Sequence, residues 1–133
     1  MCVELGIINE DSTGWSRALA WSNLYKISFS EGGNPTDPLC DAQMPGCLEA
    51  LRFEIGAWKP KRVLFMTGGN WLYGFEGLIG RELSVPRTFK YVEKTGFLEG
   101  GHARSCSKFV VVKHPQGKNE AQLVKEVLHA FDL

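Results

Sequence analysis

A chain of 133 residues that is 44% hydrophobic, 23% charged and 11% aromatic has the length and apolar content of one folded domain. That composition excludes a disordered segment, a collagen-like repeat and a disulfide-dependent miniprotein. Fifteen basic residues balance fifteen acidic ones, and a formal charge of zero argues against coating of nucleic acid by bulk electrostatics, so any such contact needs a local basic patch.

No apolar run approaches the roughly 20 residues that span a bilayer. The opening MCVELGIINEDSTGW lacks the basic region and apolar core of a secretory signal, so the expectation is a cytoplasmic, reducing setting without a membrane partner. Cys2, Cys40, Cys47 and Cys106 are scattered, with no CxxC pair and no histidine at zinc-finger spacing. Free thiols, one or two of them buried, are expected, with no metal and no cofactor.

In chain order, residues 3–8 form a weak strand candidate. Residues 20–28 form a stronger one, closed by the turn-rich stretch SEGGNP. Leu48, Leu51, Ile55 and Trp58 recur at spacings of three and four, which predicts an amphipathic helix over 41–58 with Trp58 in its apolar stripe. The run RVLFMTG at 62–68 predicts a strand stopped by Gly68 and Gly69. Residues 70–80 suit a short helix weakened by Gly74, Gly77 and Gly80. Residues 88–94 and 102–106 suggest the two arms of a hairpin. The β-branched run KFVVVK at 108–113 predicts a strand covered on both faces, since its apolar residues are continuous rather than alternating. Last, Leu123, Val124, Val127, Leu128 and Phe131 form a helical stripe behind Asn119, an N-cap with Gln122 three residues on.

The expected architecture is a single α/β domain over 1–133. It has three layers, a mostly parallel four-stranded sheet flanked by helices, and a β-hairpin insertion. The alternative is an α+β fold in which the hairpin joins the main sheet.

Open α/β sheets bind ligands beyond the carboxyl ends of their strands. Three loops there carry chemistry. His114, held by Pro115 and followed by Gly117, can donate to a developing anion or exchange a proton, although its place also suits a loop histidine bonded only to backbone. The amide of Asn23 can pair with a polar base edge or merely satisfy neighbouring backbone. The loop of Thr67, Gly68, Gly69 and Asn70 can cradle phosphate through backbone N–H groups, yet no GxxxxGK[ST] or GxGxxG is present. Trp15 and Trp71, in glycine-rich loops, are stacking candidates. Lys26, Arg104, Lys108, Lys113 and Lys118 suit either a phosphate-binding or a solvated rim.

Taken together, WSNLYKI at 21–27, Gly33-Asn34-Pro35, CLEAL at 47–51, KPKRVLFMTG at 59–68 and VKHPQ at 112–116 resemble the uracil-DNA glycosylase superfamily. They are most similar to branches whose pattern runs TNxVK, GN, a cysteine-containing helix and PKxIxxLG, and whose last strand ends in an HPS-like motif. The resemblance covers 21–68 and 108–131. It implies hydrolysis of the N-glycosidic bond of a flipped base in DNA, uracil-containing or single-stranded. Asn23 would recognise the base and His114 would stabilise the charge that develops as the bond breaks. Gln116, Gly117 and Lys118 would form the loop that wedges into DNA. Asn9, Glu10 and Asp11 would position water, and Trp15 would stack on the base. The family's Gly-x-x-Pro core is absent, and only seven residues separate Trp15 from Asn23, so the chain is expected to be a short or N-terminally truncated, divergent member. Ile27 and Ser28 stand where relatives with an iron–sulfur cluster carry a cysteine. The competing expectation is a catalytically inactive binding module that keeps the sheet and forms a homodimer. A nucleotide- or phosphate-binding enzyme using the Thr67 loop is a third.

Overall fold

The computed structural model describes residues 19–99 and 107–132. Helix α1 (Asp37–Trp58) leads into β1 (Arg62–Phe65), and short 3-10 turns at Gly69–Leu72 and Glu76–Leu78 follow. Then come β2 (Ile79–Leu83), β3 (Val92–Leu98), β4 (Lys108–Val112) and helix α2 (Glu120–Ala130). The fold is mixed α/β. Among the described residues the four strands form one sheet in the order β1-β4-β3-β2.

Strand β4 organises the sheet. Phe109, Val110, Val111 and Val112 are each 0% exposed. Alternate residues face opposite sides of a strand. Phe109 and Val111 accordingly join Cys47 and Leu51 of α1, Phe75 and Leu98 in one apolar cluster. Val110 and Val112 join Leu123 and Val127 of α2 with Tyr91 and Phe131 in a second. The uninterrupted apolar run of this strand therefore has a direct cause: both of its faces are covered.

The sheet is less parallel than expected. β1 pairs with β4 in parallel, Val63 opposite Phe109. β3 pairs antiparallel with β4, and β2 antiparallel with β3. The hairpin thus joins the main sheet, as in the α+β alternative, but with different arms. β3 continues through 95–98, where Leu98 is buried, and its partners are β2 and β4. Residues 102–106 lie outside the described residues, as does the strand candidate at 3–8.

Three further expectations are corrected. Residues 20–28 form no strand. Their backbone is held by a side chain of α1 instead, and Trp21, Ile27 and Phe29 remain exposed. Residues 70–80 form two 3-10 turns rather than one helix, separated at Gly74, whose φ of +86 breaks helical geometry. Trp58 is 52% exposed and belongs to neither cluster, because it is the last residue of α1 before the chain turns away at Lys59. Cys40 and Cys47 are free and buried, as expected for two of the thiols.

At the start of β3 the sheet borrows a carboxylate. Glu126 occupies the i+3 position of the α2 stripe after Leu123 and is buried. It accepts N–H groups from Tyr91 at 2.7 Å, Lys90 at 3.1 Å and Val92 at 3.3 Å, and the Gln122 amide at 3.0 Å. Burial alone would raise its pKa. The bonds from Tyr91, Lys90, Gln122 and Val92 outweigh burial and hold it below the ordinary carboxylate value. α2 itself starts as expected, with Asn119 Oδ1 accepting from Gln122 N at 2.9 Å.

Two predictions follow from this packing. A Cβ on Gly96 would lie 2.0 Å from the Arg81 carbonyl oxygen and 2.8 Å from Phe109 Cε1. Gly96→Ala is expected to cost about 3 kcal/mol in urea denaturation, the upper part of the overpacking range, because its nearest neighbour is backbone. Glu126 has a folded pKa below its unfolded one, so its stabilisation is complete above the carboxylate range and lost as pH falls through it. The melting temperature should fall from about pH 5 to about pH 3 more steeply in the wild type than in Glu126→Gln.

Candidate functional site

Because β1 and β4 run parallel, the loops that leave their carboxyl ends emerge side by side. The N–H of Gly68, three residues beyond β1, bonds the carbonyl of Val112, the last residue of β4, at 2.9 Å. β3 is antiparallel, so its first residues reach the same end. Lys113 N–H bonds the Tyr91 carbonyl at 3.0 Å, and Gly69 N–H bonds Glu93 Oε2 at 2.6 Å. Gly68, with φ +84, allows the chain to turn there. This end of the sheet is therefore built from the Thr67 to Trp71 loop, the first residues of β3 and the His114 loop.

His114 is exposed, two residues beyond β4. Its Nδ1 accepts the Gln116 backbone N–H at 3.3 Å. A neutral imidazole with Nδ1 as acceptor carries its proton on Nε2, so the outward nitrogen is a donor. The turn behind it is closed by Lys118 N–H on the Pro115 carbonyl at 3.0 Å, with Gly117 at φ +71. Tyr91 then ties the turn to the sheet: its hydroxyl accepts the Asn119 N–H at 3.3 Å. That bond lowers the Tyr91 pKa; burial opposes it, and Lys90 and Lys118 add to it. Gln116, Gly117 and Lys118 are all exposed on this turn.

Asn23 is held by other means. The next residue, Leu24, is buried in the α1-side cluster, while Asn23 itself is exposed. Gln43 of α1 clamps the segment: its Oε1 accepts from Lys26 N at 3.0 Å and Ile27 N at 2.9 Å, and its Nε2 donates to the Ile27 carbonyl at 2.9 Å. The amide thereby accepts and donates as a neighbouring strand would, where among the described residues none pairs with this stretch. Nearer the other end of α1, Glu54 accepts from Ser22 Oγ at 2.7 Å and Lys26 Nζ at 3.1 Å.

Tyr25 sits edge-to-face against Trp71, centroids 6.0 Å apart, and against Phe75 at 5.3 Å. Burial pushes its pKa up to about 12, helped by Cys40, Asp41 and Cys47, so its hydroxyl stays neutral. Tyr25 and Trp71 thus connect the Asn23 segment to the loop after β1.

Among the described residues, no hydrogen bond joins Asn23 to His114 or to the turn behind it. Asn9, Glu10, Asp11 and Trp15 lie outside the described residues. No group of three His, Cys, Asp or Glu side chains among the described residues is placed to hold a metal ion. No described helix is long and apolar enough to cross a membrane. Comparison of the chain with family models, curated proteins and solved structures returns no match.

Sequence reasoning missed Gln43, Glu93 and Glu126. Gln43 and Glu126 had a legible signal, a polar residue on an apolar helical face, one turn before Cys47 and between Leu123 and Val127. Glu93 had none. Replacing Gln43 with methionine keeps side-chain length and removes the clamp. At about 1 kcal/mol per lost bond, amide exchange at Lys26 and Ile27 is expected to quicken by about fivefold, as measured by hydrogen–deuterium exchange.

Proposed function

We propose that this chain is a divergent uracil-DNA glycosylase-like protein, with a three-layer helix–sheet–helix architecture, that acts on a base extruded from DNA. The observation carrying the reading is the junction of β1 and β4. The strand of the PKRVLFMTG segment and the strand that ends in VKHPQ are parallel neighbours, and they deliver the Thr67 loop and His114 to one end of the sheet.

The chemistry follows from the donor state of His114. As the N-glycosidic bond breaks, negative charge moves onto the departing base and positive charge onto the sugar. A fixed Nε2–H beside the base oxygen stabilises that charge without a prior reorganisation. Asn23 supplies the amide that pairs with the base edge, and Gln116, Gly117 and Lys118 fill the gap in the duplex. Asn9, Glu10 and Asp11 supply the groups that orient water, and Trp15 stacks on the base. The proposed reaction requires no cofactor, and the setting proposed for it is cytoplasmic.

A second reading, a catalytically inactive interaction module that dimerises, is favoured by one observation. Phe53 and Tyr73 are 75% and 80% exposed, large apolar side chains that a second copy would cover.

Incubation with uracil-containing single- and double-stranded oligonucleotides separates the two. Excision is expected, and His114→Ala should slow it at least about 100-fold, the cost of removing one charge-stabilising donor. Excision unchanged by that substitution removes His114 from the mechanism. No excision by the wild type, with a dimer in sedimentation, establishes the second reading.

A further inference from the structure

The opposite end of the sheet carries a separate basic and aromatic surface. Trp58, Lys59, Lys61 and Arg62 are exposed within five consecutive residues, at the turn from α1 into β1. Arg62 opens β1 and pairs with Lys108, the first residue of β4, whereas His114 follows the last. The two surfaces thus lie at opposite ends of the same strands.

This turn is fixed along its length. Lys59 N–H bonds the Ile55 carbonyl at 2.9 Å, Ser107 Oγ donates to the Pro60 carbonyl at 2.6 Å, and Lys108 N–H bonds the Lys61 carbonyl at 3.1 Å. Lys59 is left-handed, with φ +47, a conformation that side chains other than glycine adopt infrequently. Three consecutive residues are therefore ordered before any partner arrives, which lowers the entropic cost of binding.

Among the described residues the charge of the turn is not cancelled locally. The nearby carboxylates are engaged elsewhere, Glu54 with Lys26 and Asp132 with Lys108. Among the described residues no carboxylate forms an ion pair with Lys59, Lys61 or Arg62. Trp58 is 52% exposed, and one turn earlier on α1 Glu54 holds Ser22, the residue after Trp21, which is 73% exposed. Exposed indoles on α1 and on the segment tied to it, with three cations that form no ion pair among the described residues, combine a stacking surface with phosphate contacts.

We propose that this turn binds single-stranded nucleic acid without sequence preference, its bases stacking on Trp58 and Trp21 and its phosphates meeting Lys59, Lys61 and Arg62. The surface stands apart from His114, and it requires neither excision nor uracil.

The test is fluorescence anisotropy of a labelled oligothymidylate of roughly 15 nucleotides, titrated with the full chain at several salt concentrations. Replacing Lys59, Lys61 and Arg62 together with alanine is expected to weaken binding at least about tenfold and to flatten the salt slope by about 2, the share of three phosphate contacts on a single strand. Trp58→Ala should weaken binding while Trp58→Phe retains most of it. Lys125→Ala, on the exposed face of α2, should leave it unchanged. Circular dichroism and melting temperature establish that each variant folds, and the single substitution Lys61→Glu serves if the triple variant does not.

An unchanged affinity and salt slope in the triple variant overturns the proposal. So does an equal loss on changing Lys125, or binding to phosphatidylserine vesicles with none to the oligonucleotide. Since the probe contains no uracil, failure of binding and failure of excision are read independently.

Discussion

Four consecutive residues of β4, Phe109 to Val112, have no exposed surface, and the rest of the structure is arranged around keeping them so. A strand buried on both faces has no water to satisfy its backbone, so both of its edges must be paired. β1 supplies one edge in parallel and β3 the other antiparallel. Each face also needs an apolar cover, and α1 and α2 provide one each through Cys47 and Leu51 and through Leu123 and Val127. Even Gly96 answers to β4: the ring of Phe109 and the backbone of β2 crowd the place where a side chain would stand.

Where the ladder ends, side chains take over its work. Glu126 receives the N–H groups that open β3, Glu93 receives Gly69, and Gln43 holds both the N–H and the carbonyl of Ile27. A carboxylate accepts several donors at once, and an amide both accepts and donates, so each can replace a missing neighbouring strand. The result is a set of loops attached to rigid elements rather than free at the surface. His114 inherits its orientation from this arrangement, since the turn that occupies its Nδ1 is anchored through Asn119 and Tyr91 to β3.

Much of the fold was legible where the chain obeyed one strong local rule. The strand at 62–65, the strand at 108–112 and the capped helix after Asn119 follow from continuous apolarity or from a helical stripe with its cap. The errors fall where local pattern and tertiary contact compete. Residues 20–28 have the β-branched and aromatic content of a strand, yet among the described residues they pair with none and an α1 glutamine holds their backbone. Trp58 has the right spacing for a core residue but stands at the helix end, beyond the cover of the sheet. Of the candidate site, the places of His114 and its turn were legible because a strand followed by His-Pro and a glycine is a local signal. The relation of Asn23 to them was not, since that depends on how α1 carries the segment.

The sequence by itself determined that β4 would be buried on both faces, that helices would cover it, and that a histidine would stand at its carboxyl end. Those properties depend on apolar periodicity and capping, which act over a few neighbouring residues. Tertiary structure alone decided the direction of each strand pairing, the partners of Glu126 and Gln43, and the separation of the His114 end from the Trp58 end. Those depend on contacts between residues tens of positions apart, and no local pattern encodes which distant backbone will supply the missing hydrogen bond.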